Sequence, residues 1–376
     1  MVKKRRKRKL KIKRIILLLV IIIIPILIIT QKENIKKYYL INTLEYSEET
    51  IEAFLEKDIV DNIKNKKYSK TLDNIINTDN YKQEYINEYI EINYLEKEKF
   101  FENINILLEL GYKSNEINEL YELLSNESIN LLVEKEYIED IVNIIKLNYF
   151  EEEKLDRYIK YYKKEKLNIE DAITYVNIGL DNKYYTNVTK IKDENDLLVL
   201  VNKYNQLSSS FKPKNLTTIN SKYQWNGRSN QLTKEATLAF EEMCKAAAKD
   251  KIYIYAASGY RSYATQKYLY NNYVATDGFE DAETYSARPG YSEHQTGLAM
   301  DIANKYDFIS KKDKEYTWLI NNSYKYGFIL RYPENKDTLT GYMYEEWHYR
   351  YVGKEIAAKV HESKLTYDEF IARKMK

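Results

Sequence analysis

Residues 287–302 read Ala287-Arg288-Pro289-Gly290-Tyr291-Ser292-Glu293-His294-Gln295-Thr296-Gly297-Leu298-Ala299-Met300-Asp301-Ile302. The stretch places a histidine, His294, seven residues before an aspartate, Asp301. Downstream, Glu345-Glu346-Trp347-His348 supplies a second histidine preceded by carboxylates. The chain has only three histidines, and two of them fall in these two stretches. Two imidazoles and one carboxylate are three protein ligands for a catalytic zinc ion, with a fourth position open for water. A carboxylate beside the second histidine is then placed to act as general base on that water. The third histidine, His361, lies on an expected late helix outside both stretches and reads as a structural or surface group.

Outward from this stretch, alternation over 297–302 predicts a strand. Leu298, Met300 and Ile302 share one face, and Ala299 and Asp301 the other. Upstream, 232–249 has helical periodicity, with Ala236, Ala239, Phe240, Met243 and Ala247 on one face. Ile252-Tyr-Ile-Tyr-Ala-Ala reads as a strand feeding the turn Ser258-Gly259-Tyr260-Arg261-Ser262, and a helix is expected over 263–274. Downstream, 316–326 reads as a helix and 347–352 as a strand. Helices and strands alternate without a regular βαβ period or a Gly-rich phosphate loop, so the class is α+β. Ser208-Ser209-Ser210 and Pro213 mark the entrance to this region, and eight of the ten glycines lie between Gly227 and Gly353. A domain is therefore expected over 196–376.

The preceding part has a different texture. Residues 31–195 are rich in Asn, Ile, Lys, Glu, Tyr and Leu, with only Gly111 and Gly179, and no proline falls between Pro25 and Pro213. That scarcity of breakers suits a row of helices. Ile138, Ile141, Val142 and Ile145 recur at helical spacing, as do Leu155, Tyr158, Ile159 and Tyr162. Ser114 and Ser125-Asn126 are candidate N-caps. Degenerate helical-hairpin repeats are hinted at without a strict period. The region has no histidine and no visible chemistry, and a spacer or interaction module is the expectation.

Residues 1–14 carry ten Lys and Arg and no acid; removing them from the formal charge of +2 leaves −8 for the rest. A net acidic body argues against a nucleic-acid-binding surface. Residues 15–29 are apolar throughout, with Pro25 inside. As a helix that run spans only about 23 Å against a ~30 Å hydrocarbon core. It suits a signal peptide's apolar region, but Thr30-Gln31-Lys32-Glu33-Asn34 offers no Ala-x-Ala-like cleavage site. Arg14 and Lys32 can snorkel to lengthen the span. The expectation is an uncleaved signal-anchor over 1–30, with the basic cluster cytoplasmic and the rest of the chain outside. The single cysteine, Cys244, excludes an intramolecular disulfide and a Cys-rich zinc site, and fits a small buried apolar role.

Three stretches together resemble one family: Ser-Gly-Tyr-Arg-Ser at 258–262, the sixteen residues at 287–302, and Glu-Glu-Trp-His-Tyr-Arg-Tyr-Val-Gly at 345–353. The region from about 200 to 370 resembles the VanY-type D-alanyl-D-alanine carboxypeptidases, zinc peptidases of bacterial cell-wall metabolism. The resemblance implies a zinc D,D-peptidase fold of the Hedgehog/DD-peptidase-like type, with mixed helices and an antiparallel sheet. It implies that His294, Asp301 and His348 bind Zn2+ and that Glu345 is the catalytic base. It implies that Arg261 binds the oxyanion or the substrate's terminal carboxylate, and that Gln266, Ser292 and Tyr332 line the substrate site. One position departs from the family pattern: Glu346 stands where proline usually precedes the tryptophan. In a regular strand Glu346, not Glu345, shares a face with His348, so a turn or bulge must rotate Glu345 into the site. The expected activity is removal of the terminal D-alanine of peptidoglycan stem peptides. The rivals are L,D-carboxypeptidase or endopeptidase action on the same stems, and an inactive wall-binding protein.

Overall fold

The computed structural model describes residues 2–64 and 66–375, with side chains from Arg14 onward. The side chains of the basic cluster before Arg14 therefore lie outside the described residues. The chain divides into two compact units, 1–146 and 147–376.

The first unit is helical among its described residues. Its first helix, Val2–Leu44, runs through Pro25 without ending. The apolar run is thus part of a helix that extends well beyond Ile29, and its large apolar side chains are exposed. One stretch of this helix, Arg14–Leu44, is long and apolar enough to cross a membrane, with mean hydropathy 2.8 over its most apolar 18 residues. Shorter helices follow, among them Glu48–Glu56, Phe100–Leu110, Ser114–Leu123 and Asn126–Val133. Ser125 caps the last of these through its hydroxyl, which accepts from Ser128 N. Ser114 does not act as a cap. It is the first helical residue, and Glu116 reaches back to accept the Lys113 N–H at 2.8 Å. Side chains tie successive helices together at a recurring separation. Tyr46 Oη accepts from Ser69 N at 2.9 Å, Asn118 bridges Asn93 N and Glu91 O, and Tyr112 Oη accepts from Ile138 N at 3.1 Å. Each tie spans about 25 residues, a loose repeat carried by polar side chains that a hydrophobic period does not reveal.

The second unit contains eight strands among its described residues. They are β1 (Thr189–Lys190), β2 (Asn205–Gln206), β3 (Leu216–Thr218), β4 (Gln231–Thr233), β5 (Tyr255–Ser258), β6 (Ala299–Ala303), β7 (Phe328–Leu330) and β8 (His348–Tyr351). Four of them form one sheet in the order β5-β6-β8-β7, antiparallel throughout. The alternation read from the sequence decides what each face carries. Met300 and Ile302 of β6 and Tyr349 and Tyr351 of β8 enter the main core, with Leu232, Phe240, Met243, Leu319 and Phe328. The helix Lys234–Lys249 closes that core with Ala236, Phe240, Met243 and Ala247; Cys244 is buried with them. Fully burying a side chain of Leu or Phe size contributes about 1.5–3 kcal/mol, so this face anchors the sheet. The other residues of β6 and β8, including Asp301, His348 and Arg350, face the opposite way.

A smaller cluster lies around Ile329, Val352, Ala357, Val360, Tyr367 and Phe370. It docks the helices Lys354–Ser363 and Tyr367–Ala372. The helices Leu155–Glu165 and Ile169–Ile178 also belong to this unit. Arg373 binds Glu170 at 2.9 Å and Asp171 at 3.1 Å, and Asn177 Nδ2 reaches Ala372 O. The compact C-terminal unit therefore begins at Leu147, ahead of the change of texture near residue 196.

Several expected boundaries shift, among them the strand starts expected at 252 and 297, which fall at Tyr255 and Ala299, and three others move for local reasons. The helix expected from 232 starts at Lys234, because Gln231–Thr233 pairs with β3 first. The 316–326 helix begins earlier and finishes in a 3-10 turn, Ser323–Tyr326. Trp347 is not in β8: the His348 N–H bonds to Glu345 O at 3.3 Å, so 345–348 is a turn and the strand begins at His348.

Candidate active site

Strand register brings the two long motifs together. Asp301 of β6 pairs directly with His348 of β8, and Ser258 of β5 pairs with Asp301 from the other side. Directly opposed residues in an antiparallel pair hold their Cβ atoms about 4.5–5.5 Å apart on the same face. His294 arrives from the 3-10 turn Glu293–Thr296 that precedes β6. The Ser258–Ser262 turn is stitched to it: Arg261 N donates to His294 O at 3.1 Å, and His294 Nδ1 lies 2.8 Å from Gly259 O. A carbonyl only accepts, so Nδ1 carries the proton and Nε2 is left bare. Gly259 makes that approach possible, since a Cβ there would lie 2.5 Å from Gln231 O.

The donor atoms converge. His294 Nε2 lies 3.3 Å from Asp301 Oδ2, and His348 Nδ1 lies 3.0 Å from Asp301 Oδ1. Ligand atoms of His294, Asp301 and His348 all fall within 4.8 Å of one another, and all three residues are buried. A tetrahedral ion with ~2.0–2.2 Å bonds separates its ligand atoms by roughly 3.3 Å, a spacing that His294 Nε2 and Asp301 Oδ2 already have. The His294 Nε2 is moreover buried without a hydrogen-bond donor or acceptor of its own among the described residues. Histidine nitrogens with a single carboxylate and no thiolate are a catalytic-type zinc set, and these residues fit that ion.

Electrostatics agree with the fit. Burial pulls the His294 pKa down to about 4, with the Arg261 guanidinium adding to it, so the ring is the neutral, metal-binding form. Burial opposes ionisation of Asp301, but the protonated His348 ring 3.0 Å away holds its carboxyl below the usual range. His348 is raised to about 9: burial works against the proton, and Asp301 and Glu293 outweigh it. The same anionic oxygens that favour a proton there favour a dication in its place.

The remaining expected residues line one cavity of about 450 Å³ with the donor set: Arg261, Gln266, Ser292, Tyr332 and Glu345. Glu345 is buried, its Oε2 3.6 Å from His348 Nδ1, and burial pushes its carboxyl up to about 7 against the pull of His348. The turn at 345–348 is what rotates it inward without a proline. Glu346 is partly exposed and does not line the cavity. Arg261 extends Nη2 to 3.8 Å from Asp301 Oδ2, and its buried Nε has no partner. Gln266 donates from Nε2 to Ala287 O at 2.7 Å, leaving Oε1 buried and unpaired. The Tyr332 ring packs on His348 with centroids 5.0 Å apart, and burial keeps it a neutral phenol.

Residues the sequence did not single out complete the walls, notably Phe308, Tyr342 and Met343. Behind the site, Glu293, Arg331, Arg350 and Asp368 form a buried charged cluster. Glu293 and Arg350 lie inside the quoted motifs, yet a charged residue in a motif carries no sign of burial. Arg288, beside the Pro289-Gly290 turn, pairs with Glu283 at 2.8 Å. His361 stacks on Tyr324 with centroids 3.9 Å apart, away from the cavity.

An antiparallel α+β domain that presents two histidines, an aspartate and an opposed glutamate in one cleft is a metallohydrolase of the zinc-peptidase class. The sequence profile of VanY, a D-alanyl-D-alanine carboxypeptidase family, matches residues 229–354. YodJ of Bacillus subtilis (strain 168) is 37% identical over 210 residues, covering 52% of this chain and 76% of its own. A D-alanyl-D-alanine carboxypeptidase of Enterococcus faecalis (strain ATCC 700802 / V583) is 41% identical over 140 residues, 35% of this chain and 52% of that one. A solved structure of the vancomycin-resistance D,D-pentapeptidase VanY in complex with Zn(II) is 35% identical, covering 46% of this chain and 98% of that one, with a TM-score of 0.41. The chain belongs to the VanY family of D-alanyl-D-alanine carboxypeptidases. Its class is zinc carboxypeptidase, a peptide hydrolase.

Proposed function

We propose that the protein is a membrane-anchored carboxypeptidase that removes the C-terminal D-alanine of peptidoglycan stem peptides on the outer side of the membrane. The observation that carries this reading is the convergence of His294, Asp301 and His348 with Glu345 and Arg261 in one cavity. His294 Nε2, an Asp301 oxygen and His348 Nδ1 would hold the zinc. When bound, zinc supplies Lewis acidity that activates water at neutral pH and polarises the scissile carbonyl.

The side chains divide the remaining work. Glu345, a buried carboxylate with a pKa near neutrality, takes a proton from the attacking water and returns it to the leaving amine. Arg261 presents its planar fork at the cavity and pairs with the terminal carboxylate of the substrate, in a geometry lysine cannot copy. A free α-carboxylate is what distinguishes a chain end from an internal peptide bond, so this pairing selects for carboxypeptidase action. The unpaired Gln266 Oε1 accepts from a substrate N–H, and the neutral Tyr332 phenol and the Ser292 hydroxyl orient the backbone. The apolar side chains of the Arg14–Leu44 helix would lie in the bilayer, and the basic residues ahead of it favour a cytoplasmic N-terminus.

Mass spectrometry of tri-, tetra- and pentapeptide stems incubated with the zinc-loaded protein tests the proposal. Loss of one alanine from the pentapeptide with the tetrapeptide untouched is the expected result. Trimming of the tetrapeptide in preference would make it an L,D-carboxypeptidase, and no cleavage of any stem would leave a binding protein.

A further inference from the structure

His294 and His348 both turn one nitrogen to Asp301, but their other nitrogens meet different groups. For His294 that group is a neutral carbonyl, Gly259 O. For His348 it is a carboxylate: His348 Nε2 lies 3.5 Å from Glu293 Oε2. Both atoms are buried, and neither makes a hydrogen bond among the described residues, so each is the other's nearest available partner. The other oxygen of Glu293 is occupied, accepting from Arg331 Nε at 2.8 Å and Arg350 Nη1 at 3.0 Å. Arg331 also donates from Nη1 to Asp368 Oδ2 at 2.6 Å, and Asp368 accepts from Asn202 Nδ2 at 2.8 Å. Two arginines and two carboxylates thus make an electrically balanced group at zero side-chain exposure. A carboxylate buried alone is strongly disfavoured in its ionised form, so the arginines are what allow Glu293 to stand behind His348 as an anion.

We propose that Glu293 is the positioning residue of the metal site: in the metal-loaded protein its free oxygen accepts a hydrogen bond from the Nε2–H of His348 and so commits Nδ1 to the metal. This rests on the reading of His348 as a zinc ligand and extends it outward by one shell. A carboxylate behind a ligating imidazole fixes its tautomer and raises its basicity more than a carbonyl does. The two histidines are then unequal ligands, His348 being the stronger. Asp368 has a separate part. It lies on the Tyr367–Ala372 helix, beyond the region matched by the family profile, and touches Arg331 but not His348. Its loss should loosen the fold without re-aiming the ring.

The experiment uses the full chain in detergent. Zinc affinity is measured by competition with a chromophoric chelator for the wild type, Glu293→Gln and Asp368→Asn. Protonation of the rings is read by NMR on protein labelled with 15N-histidine, where only three residues contribute. The expected results are a 10–100-fold weaker zinc affinity for Glu293→Gln, of the size seen when such outer partners are lost, and Asp368→Asn within threefold of wild type despite a lower melting temperature. In zinc-loaded wild type, His348 should carry its proton on Nε2 with Nδ1 bound to the metal. Unchanged affinity in Glu293→Gln, or metal on Nε2 of His348, overturns the proposal while the metal site itself survives. Wild type that binds no zinc instead removes the site reading. Should Glu293→Gln fail to fold, the wild-type tautomer decides alone.

Discussion

Replacing Glu345 by glutamine separates metal binding from proton transfer at this site. Its carboxylate is buried and sits 3.6 Å from the His348 nitrogen assigned to the metal, within reach of a water that a bound zinc would hold. Glutamine keeps the shape and the accepting oxygen but cannot take a proton. The three donor residues are untouched, so zinc content should stay near one ion per chain. General acid–base catalysis contributes about 10²–10⁴-fold, or about 2.7–5.4 kcal/mol of barrier. The turnover of Glu345→Gln on a D-Ala-D-Ala-terminated peptide should fall by that factor. Glu346→Gln changes a partly exposed residue that does not line the cavity, and should retain turnover within about threefold of wild type. The assay is D-alanine release at saturating zinc, with metal content and melting temperature recorded for each variant. A dead Glu346→Gln beside an active Glu345→Gln would show that strand parity, not the turn, places the base.

Other outcomes follow from the same geometry. Chelation should abolish D-alanine release and added zinc should restore it; full activity in a preparation shown to be metal-free would refute the donor assignment. Gly259→Ala drives a Cβ toward Gln231 O and displaces the carbonyl that fixes His294, so it should cost about 1–3 kcal/mol of stability and weaken zinc binding together; denaturant titration with chelator competition reads both, and intact zinc affinity would count against the Gly259 contact. Lys203 is buried beneath Tyr184 and Tyr342, and burial lowers its pKa to about 8 from 10.5. Between those values the unfolded chain holds the extra proton, so this residue's contribution to stability rises with pH from about 8 to about 10.5. The unfolding free energy of Lys203→Met minus that of wild type should decrease over that interval, and a flat difference would contradict it. Protease added to intact cells should reach the C-terminal unit while it remains joined to the N-terminus; a mature chain starting near residue 31 would mean a cleaved signal peptide instead.

The sequence determined the chemistry and the local elements. With two of three histidines in paired motifs, His294, Asp301 and His348 were legible as a donor set. The alternation of 298–302 separated Asp301 from the core residues Met300 and Ile302 because a strand has period two. The helical texture ahead of residue 195 was legible from the near absence of glycine and proline. Tertiary structure decided the rest. Whether Glu345 or Glu346 faces His348 depends on a turn closed by one backbone hydrogen bond, and parity cannot foresee where a strand begins. Helices 155–178 join the C-terminal unit through Arg373, Glu170 and Asp171, contacts spanning some two hundred residues of chain that no local pattern encodes. The cluster in which Arg331 joins Glu293 to Asp368, and Arg350 also binds Glu293, needs four segments to meet in a fully buried place. A charged residue reads as solvent-facing until its counter-charge is seen beside it, and only the folded chain brings the two together.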